Sequence, residues 1–246
     1  MNGGEVPIHQ KLIIAHRGAP IDAKENTIES FERAIALGAD MIEFDVRRTK
    51  DKVLIAYHDE TIQSRPVKEL TFEAISRIAG NQGFDIPTVE EVLRLTRGKI
   101  KLDVELKEEG YEKEMVELIS TYFGEDQFVI TSFHDASLRT IKDDSPRVRV
   151  GLILGTSNAS LRTRISEFFP AKRCNEAKAD FMVPHWKLLR LGFFGRAERN
   201  NKSLFVWTVN DGQMIRKLLR DGRVDAIVTD RADLALSLRK EIVVRP

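Results

Sequence analysis

An α/β barrel of the (β/α)8, or TIM-barrel, class is the fold this sequence predicts, and three observations carry the prediction. Short apolar runs alternate with amphipathic segments of helix length, eight runs remain once an antiparallel arm is set aside, and 246 residues match the roughly 250 that one such barrel needs. Several runs end directly in charged or aromatic groups, as strands do at a barrel mouth. No break in composition marks a second domain, so residues 1–246 are expected to form a single barrel domain with a short cap segment at 60–87.

The composition excludes several classes. Hydrophobic residues make up 42% and charged residues 31%, enough for a buried core under a solvated surface. Thirty-nine basic against 38 acidic residues leave a net charge of +1, too little field to attract nucleic acid, so any anion must be recognised locally. The lone Cys174 forms no intramolecular disulfide and no zinc-thiolate cluster, and reads as a spectator thiol in a reducing compartment. Met1 to Lys11 holds no apolar core of signal-peptide length, and no run approaches the roughly 20 residues of a membrane span. A cytoplasmic protein is expected.

Leu12 to Ala15 is the first strand, followed at once by His16-Arg17-Gly18. A helix comes next: Asn26 is placed to cap it, Glu29 stands three residues on as in a capping box, Ile28, Phe31, Ala34 and Ile35 form its apolar stripe, and Gly38 ends it. Met41 to Val46 is the second strand. Glu43 and Asp45, two apart, share one face, while Ile42, Phe44 and Val46 face the surrounding helices. The acidic pair therefore points into the barrel, where burial without a partner is expensive and a cation is the natural remedy.

Val53 to Tyr57 follows too closely for a parallel crossover, so it must return antiparallel as a hairpin arm after the second strand. With the turn centred between Lys50 and Asp51, His58 falls opposite about Glu43. Two histidines then converge on the carboxylates. The segment from Glu60 to Pro87 is irregular apart from a short helix near Thr71 to Ala79, and Thr88 with Glu91 starts another helix that Gly98 ends. Ile100 to Lys107 alternates strictly, placing Asp103, Glu105 and Lys107 inward. Glu105 is a third carboxylate and Lys107 an anion-binding cation at the rim.

The remaining strands are Gln127 to Thr131, Val148 to Leu154, Asp180 to Val183, Ser203 to Val209 and Val224 to Val228. Helices are expected near Ala136 to Ile141, Leu161 to Phe168, Lys187 to Arg199, Gly212 to Asp221 and Ala232 to Lys240. Trp207 reads as one apolar wall for a small ligand or as an aromatic barrel plug, and His134 and His185 are weaker candidates. The basic, apolar stretch Trp186 to Arg199 permits weak peripheral membrane contact, although an outer helix needs an apolar stripe in any case.

Three carboxylates from two strands, without cysteine or a paired-histidine helix motif, favour a hard divalent cation, Mg²⁺ or Ca²⁺, over zinc. Arg17 and Lys107, a fork and a point charge, suit a phosphate, and His16 and His58 suit proton transfer. The set fits phosphodiester cleavage. It fits carbohydrate hydrolysis poorly, since Glu43 and Asp45 share a strand face instead of flanking a sugar.

These residues, with Glu25-Asn26-Thr27, Ile86-Pro87-Thr88, Glu91-Val92, Trp207-Thr208-Val209-Asn210 and Thr229-Asp230, resemble in order and spacing the metal-dependent glycerophosphodiester phosphodiesterase family, from Leu12 to Leu238. Phosphatidylinositol-specific phospholipases and sphingomyelinase D are similar relatives. The resemblance implies that His16 and His58 form the acid–base pair, that Glu43, Asp45 and Glu105 bind the metal, and that Arg17 and Lys107 hold the phosphate. It also implies small glycerophosphodiester substrates, cleaved to glycerol 3-phosphate and an alcohol. The chain departs from the pattern at Gln63-Ser64-Arg65-Pro66, where many relatives carry Arg-Thr-Thr, in its short cap, and at Lys24 and Ala232, where proline is frequent. An open mouth leaves lysophospholipids as an alternative substrate, and a silent phosphodiester-binding module as a reading of another class.

Overall fold

The computed structural model describes residues 11–155, 170–197 and 202–244. The chain runs β1 (Leu12–Ala15), α1 (Ile28–Leu37), β2 (Met41–Arg48), β3 (Leu54–Ala56), β4 (Thr61–Ile62), β5 (Arg65–Pro66), α2 (Phe72–Asn81) and α3 (Val89–Thr96). It continues through β6 (Lys101–Leu106), α4 (Glu112–Ser120), β7 (Phe128–Ser132), α5 (Asp135–Asp144) and β8 (Val150–Leu154). Then follow α6 (Pro170–Glu176), β9 (Phe181–Pro184), α7 (Phe193–Ala197), β10 (Ser203–Val206), α8 (Gly212–Arg220), β11 (Ala226–Thr229) and α9 (Ala232–Val244).

Eight parallel strands close into the expected barrel in the order β1, β2, β6, β7, β8, β9, β10, β11, with β11 returning to β1. The antiparallel arm β3 pairs with the outgoing half of β2. Outward residues such as Ile42, Phe44, Val46, Leu102 and Val104 join the large core under the helices. A second apolar cluster of Ile14, Met41, Val129, Ile153, Phe181, Val183, Phe205, Ala226 and Val228 plugs the lower interior. Along β2 the inward positions run Met41, Glu43, Asp45, Arg47, so the interior changes from apolar at the base to charged at the mouth.

The sequence misplaces some details. Thr27, not Asn26, caps α1, in a capping box with Ser30, and Gly38 ends the helix at φ 75°. The β2–β3 ladder pairs Val46 with Ala56 and Arg48 with Leu54, so its two-residue count puts His58 opposite Phe44, one place from the expected Glu43. The turn is a three-residue loop whose last member, Lys52, has φ 66°, which moves the centre onto Asp51. The cap contains a small hairpin, β4 with β5, turned at Gln63 and Ser64 with φ 49° and 61°. Its apolar cluster of Ile62, Val67, Leu70, Ile75, Ala79 and Ile86 is anchored on Ile55 of the arm.

Lys187 to Arg199 is not one helix. A 3₁₀ segment, Trp186–Leu191, ends at Gly192 with φ 67°, and α7 follows. Its Leu188, Leu189 and Phe194 pack on the main core, which uses the apolar stripe. The expected helix near Leu161 to Phe168, residue Arg199, and Met1 to Gln10 lie outside the described residues. Among the described residues no helix is long and apolar enough to cross a membrane. Cys174 is buried, and burial pushes its thiol up to about 11.

Candidate active site

The mouth is built around β2. Parallel pairing sets Asp45 beside Glu105 and Glu43 beside Asp103, and oxygens of Glu43, Asp45 and Glu105 lie within 4.8 Å of one another. All three residues are buried. Burial, then the charges of Asp45 and Glu105, push the Glu43 carboxyl well above its ordinary range against the pull of Arg17. Burial acts in the same direction on Asp45, but Lys107, Arg17 and both histidines together outweigh it and hold that carboxyl below its ordinary value. Asp103, deeper and bonded by Thr131 Oγ1 at 2.8 Å, is lifted by burial to about 7.

Two cations balance the acids. Lys107 Nζ lies 2.5 Å from Glu105 Oε1 and 3.0 Å from Asp45 Oδ1. Burial alone would lower this ammonium, but Glu105 and Asp45 raise it above its ordinary value. Arg17 donates its backbone N–H to Glu43 Oε2 (2.9 Å), offers Nη1 to both oxygens of Glu25 (3.0 Å each) and sets Nε 3.1 Å from Asp45 Oδ2. Its side chain thus has two carboxylate supports, while Nη2 donates no hydrogen bond among the described residues.

Local backbone geometry makes this possible. Arg17 is left-handed at φ 53°, a conformation costing a non-glycine residue of order 1 kcal/mol. Gly18 follows at φ 84°, where a Cβ would sit 2.4 Å from Ser30 Oγ, so α1 passes too close for any side chain. Asn26, also left-handed at φ 57°, bonds Arg17 O through its N–H (3.0 Å) and Asp45 Oδ2 through Nδ2 (2.8 Å). Asn26 serves the acidic centre, and only its neighbour Thr27 serves the helix.

Each histidine has an aspartate behind it. His16 Nδ1 lies 2.6 Å from Asp230 Oδ1, and His58 Nδ1 lies 2.8 Å from Asp59 Oδ1. Burial would raise Asp230, yet the bond and charge of His16, the Asn210 amide and the Arg17 charge keep it below its ordinary value. An ionised carboxylate only accepts, so His16 Nδ1 is the donor and Nε2, 3.8 Å from Glu43 Oε2, faces the acidic centre. Asn210 accepts from Asp230 N–H (2.9 Å) and Thr229 Oγ1 (3.1 Å) and donates Nδ2 to Asp230 Oδ2 (2.5 Å), which fixes both residues.

Arg17, Glu43, Asp45, Glu105 and Lys107 therefore form one bonded cluster, with His16 3.8 Å from Glu43 and His58 close enough to act on the Asp45 charge. Trp207 stands apart: Nε1 donates to Leu154 O (3.1 Å), and the ring meets Phe133 and His185 edge to face above the interior plug. His134 bonds Lys107 O at 3.2 Å, and His185 caps the 3₁₀ segment by accepting from Lys187 N–H. Sequence reasoning gave no role to Asp230. The closed barrel shows the signal, since Ala15 pairs with Thr229, making the residues after them neighbours.

The donor set suits a metal ion by its own atoms. Glu43 Oε1 and Asp45 Oδ1 are buried without a hydrogen-bond partner, the latter facing Lys107 Nζ at ion-pair distance only. Buried carboxylate oxygens left open in this way, all hard donors, fit Mg²⁺ or Ca²⁺.

A model of the glycerophosphoryl diester phosphodiesterase family matches residues 16–234. The chain is 31% identical over 245 residues to a glycerophosphodiester phosphodiesterase of Caldanaerobacter subterraneus subsp. tengcongensis, covering 92% of this chain and 97% of that one. Among solved structures, a glycerophosphodiester phosphodiesterase from Parabacteroides distasonis superposes with a TM-score of 0.81 at 24% identity, covering 95% and 98% of the two chains. An Oleispira antarctica phosphodiesterase in complex with the product sn-glycerol-3-phosphate gives 0.77 at 20% identity, covering 93% and 96%. These two likenesses speak to the fold.

Proposed function

The chain belongs to the glycerophosphoryl diester phosphodiesterase family, and from that premise we propose that it hydrolyses small glycerophosphodiesters to glycerol 3-phosphate and an alcohol by metal-assisted, two-histidine catalysis. What supports this reading most is one buried carboxylate trio with His16 Nε2 3.8 Å from Glu43 and His58 near enough for its charge to act on Asp45, each histidine backed by an aspartate. The product named for the Oleispira antarctica enzyme supports the choice of substrate.

Glu43, Asp45 and Glu105 would hold a single Mg²⁺ or Ca²⁺, which when bound would stabilise negative charge growing on the phosphoryl oxygens. Lys107 and Nη2 of Arg17 hold the phosphate from the protein side, the first as a point charge and the second through its N–H donors. One histidine takes the proton of the attacking oxygen at Nε2 as the new P–O bond forms. The other gives a proton from Nε2 to the leaving alkoxide as the old P–O bond breaks, so protons and charge balance over the step. The aspartates hold each ring by Nδ1 and favour the imidazolium that each histidine must pass through. Trp207 supplies an apolar wall at the mouth. The small net charge argues against a nucleic-acid substrate, and the lone buried Cys174 suits the cytoplasm.

Turnover of glycerophosphocholine in saturating Mg²⁺ tests the assignment. His16→Ala and His58→Ala should each lose about 10²- to 10⁴-fold in kcat with folding intact. Wild-type turnover in both variants would contradict it.

A further inference from the structure

Arg47 is the next inward residue of β2 after Glu43 and Asp45, and it is only 7% exposed. A guanidinium so removed from water needs strong partners, and the nearby metal-type carboxylates are not the ones it takes. Its Nε donates to the backbone carbonyl of His58 at 2.9 Å, and its Nη1 pairs with the Glu108 carboxylate. Glu108 is itself held: its N–H and that of Lys107 both donate to the Tyr111 hydroxyl (3.2 Å each), which donates to Val46 O at 2.6 Å. One bonded path therefore joins the peptide of His58 to the turn that carries Lys107.

The arm needs such a tether. Strand pairing between β2 and β3 stops at Val46 with Ala56, and the last backbone link is Tyr57 N–H to Asp45 O (3.0 Å). Beyond it the chain leaves the barrel wall. Among the described residues the His58 ring bonds only Asp59 of its own segment, whose side chain is 65% exposed. Among the described residues, Arg47 makes the one hydrogen bond from the barrel strands to His58.

We infer that Arg47 is the positioning residue of His58, fixing how far its imidazole reaches over the carboxylate trio. The inference rests on the reading of His58 as a proton-transfer group. A displacement near 1 Å costs about 10²-fold in a positioned reaction, so loss of the tether should appear in kcat and leave substrate binding, made by Arg17 and Lys107, nearly intact.

The test uses Arg47→Met, which keeps the aliphatic stem, and Arg47→Lys, which keeps a cation opposite Glu108 but lacks the Nε donor. Both are assayed on glycerophosphocholine in saturating Mg²⁺, alone and combined with His58→Ala, with melting curves and ¹⁵N-histidine NMR of the metal-free proteins. Expected are a kcat lower by about 10²-fold for Arg47→Met and at least about tenfold for Arg47→Lys, a KM within about threefold, and a moved His58 resonance beside an unmoved His185 signal. In the His58→Ala background Arg47→Met should cost nothing further. If Arg47→Met does not fold, Arg47→Lys decides. Wild-type kcat in a folded Arg47 variant, or an equal further loss without His58, overturns the positioning role while leaving the proposed reaction standing. Wild-type turnover by His58→Ala alone would remove the assignment of His58, and the positioning role with it.

Discussion

Asp230→Asn changes one oxygen to nitrogen and should disable His16 without moving it. Asn210 Oδ1 accepts from Thr229 Oγ1 and Asp230 N–H, so its Nδ2 must point at Asp230 Oδ2. An amide at position 230 will turn its carbonyl oxygen to that Nδ2 and its NH₂ to His16 Nδ1, now 2.6 Å from a carboxylate oxygen. A donor facing Nδ1 moves the ring proton to Nε2. That tautomer cannot accept a proton at Nε2 and disfavours the imidazolium, so His16 fails as base and as acid alike. The loss should be about 10³- to 10⁴-fold in kcat, or about 4–5.5 kcal/mol of barrier, against roughly tenfold for a mere loosening of the ring. The exchange is isosteric, so Tm should stay within about 4 °C. Steady-state turnover of glycerophosphocholine in Mg²⁺ reads the effect, and a folded variant within tenfold of wild type would refute the tautomer argument.

Gly18→Ala should destabilise the protein by about 2–4 kcal/mol in urea unfolding, because its Cβ meets Ser30 Oγ at 2.4 Å and the residue stands at φ 84°. Mg²⁺ affinity should strengthen as pH rises and binding should release a proton, since Glu43, raised by burial and by Asp45 and Glu105, must ionise to ligate. Calorimetry in buffers of different ionisation enthalpy measures this, and pH-independent affinity would count against it. In the metal-free protein Asp103 titrates at about 7 when folded against 3.8 ordinarily, so the folded state binds the extra proton and stability falls as pH rises through that window. The fall should be smaller in Asp103→Asn than in the wild type, with the raised Glu43 carboxyl supplying the remainder; identical pH profiles in the two proteins would exclude it.

The period of two in Met41 to Arg48 and Lys101 to Leu106 is what made the acidic centre legible from sequence. Alternation beside apolar partners turns Glu43, Asp45 and Glu105 inward, and adjacent strands then bring them together. What failed to show depended on conformations without a residue signature. Asn26 suits an N-cap as well as a left-handed bend, and only the latter lets its amide reach Asp45. The register of His58 hung on Lys52 at φ 66°, and the cap hairpin turns at Gln63 and Ser64, none of which is a glycine. Asp230 required the barrel to close before the first and last strands became neighbours. Arg47 carried no signal because its partners, the His58 carbonyl and Glu108, are supplied by separate loops.

Hydrolysis of a glycerophosphodiester is proposed to need the carboxylate trio, both histidines and a divalent ion together. Phosphorus NMR of glycerophosphocholine incubated with the metal-stripped protein tests it most directly, as Mg²⁺ or Ca²⁺ is titrated in. A glycerol 3-phosphate resonance should grow with added metal, vanish with chelator and stay absent in Glu43→Gln and His16→Ala. An unchanged substrate resonance at saturating concentrations of both ions, or equal turnover in chelator, would contradict the account.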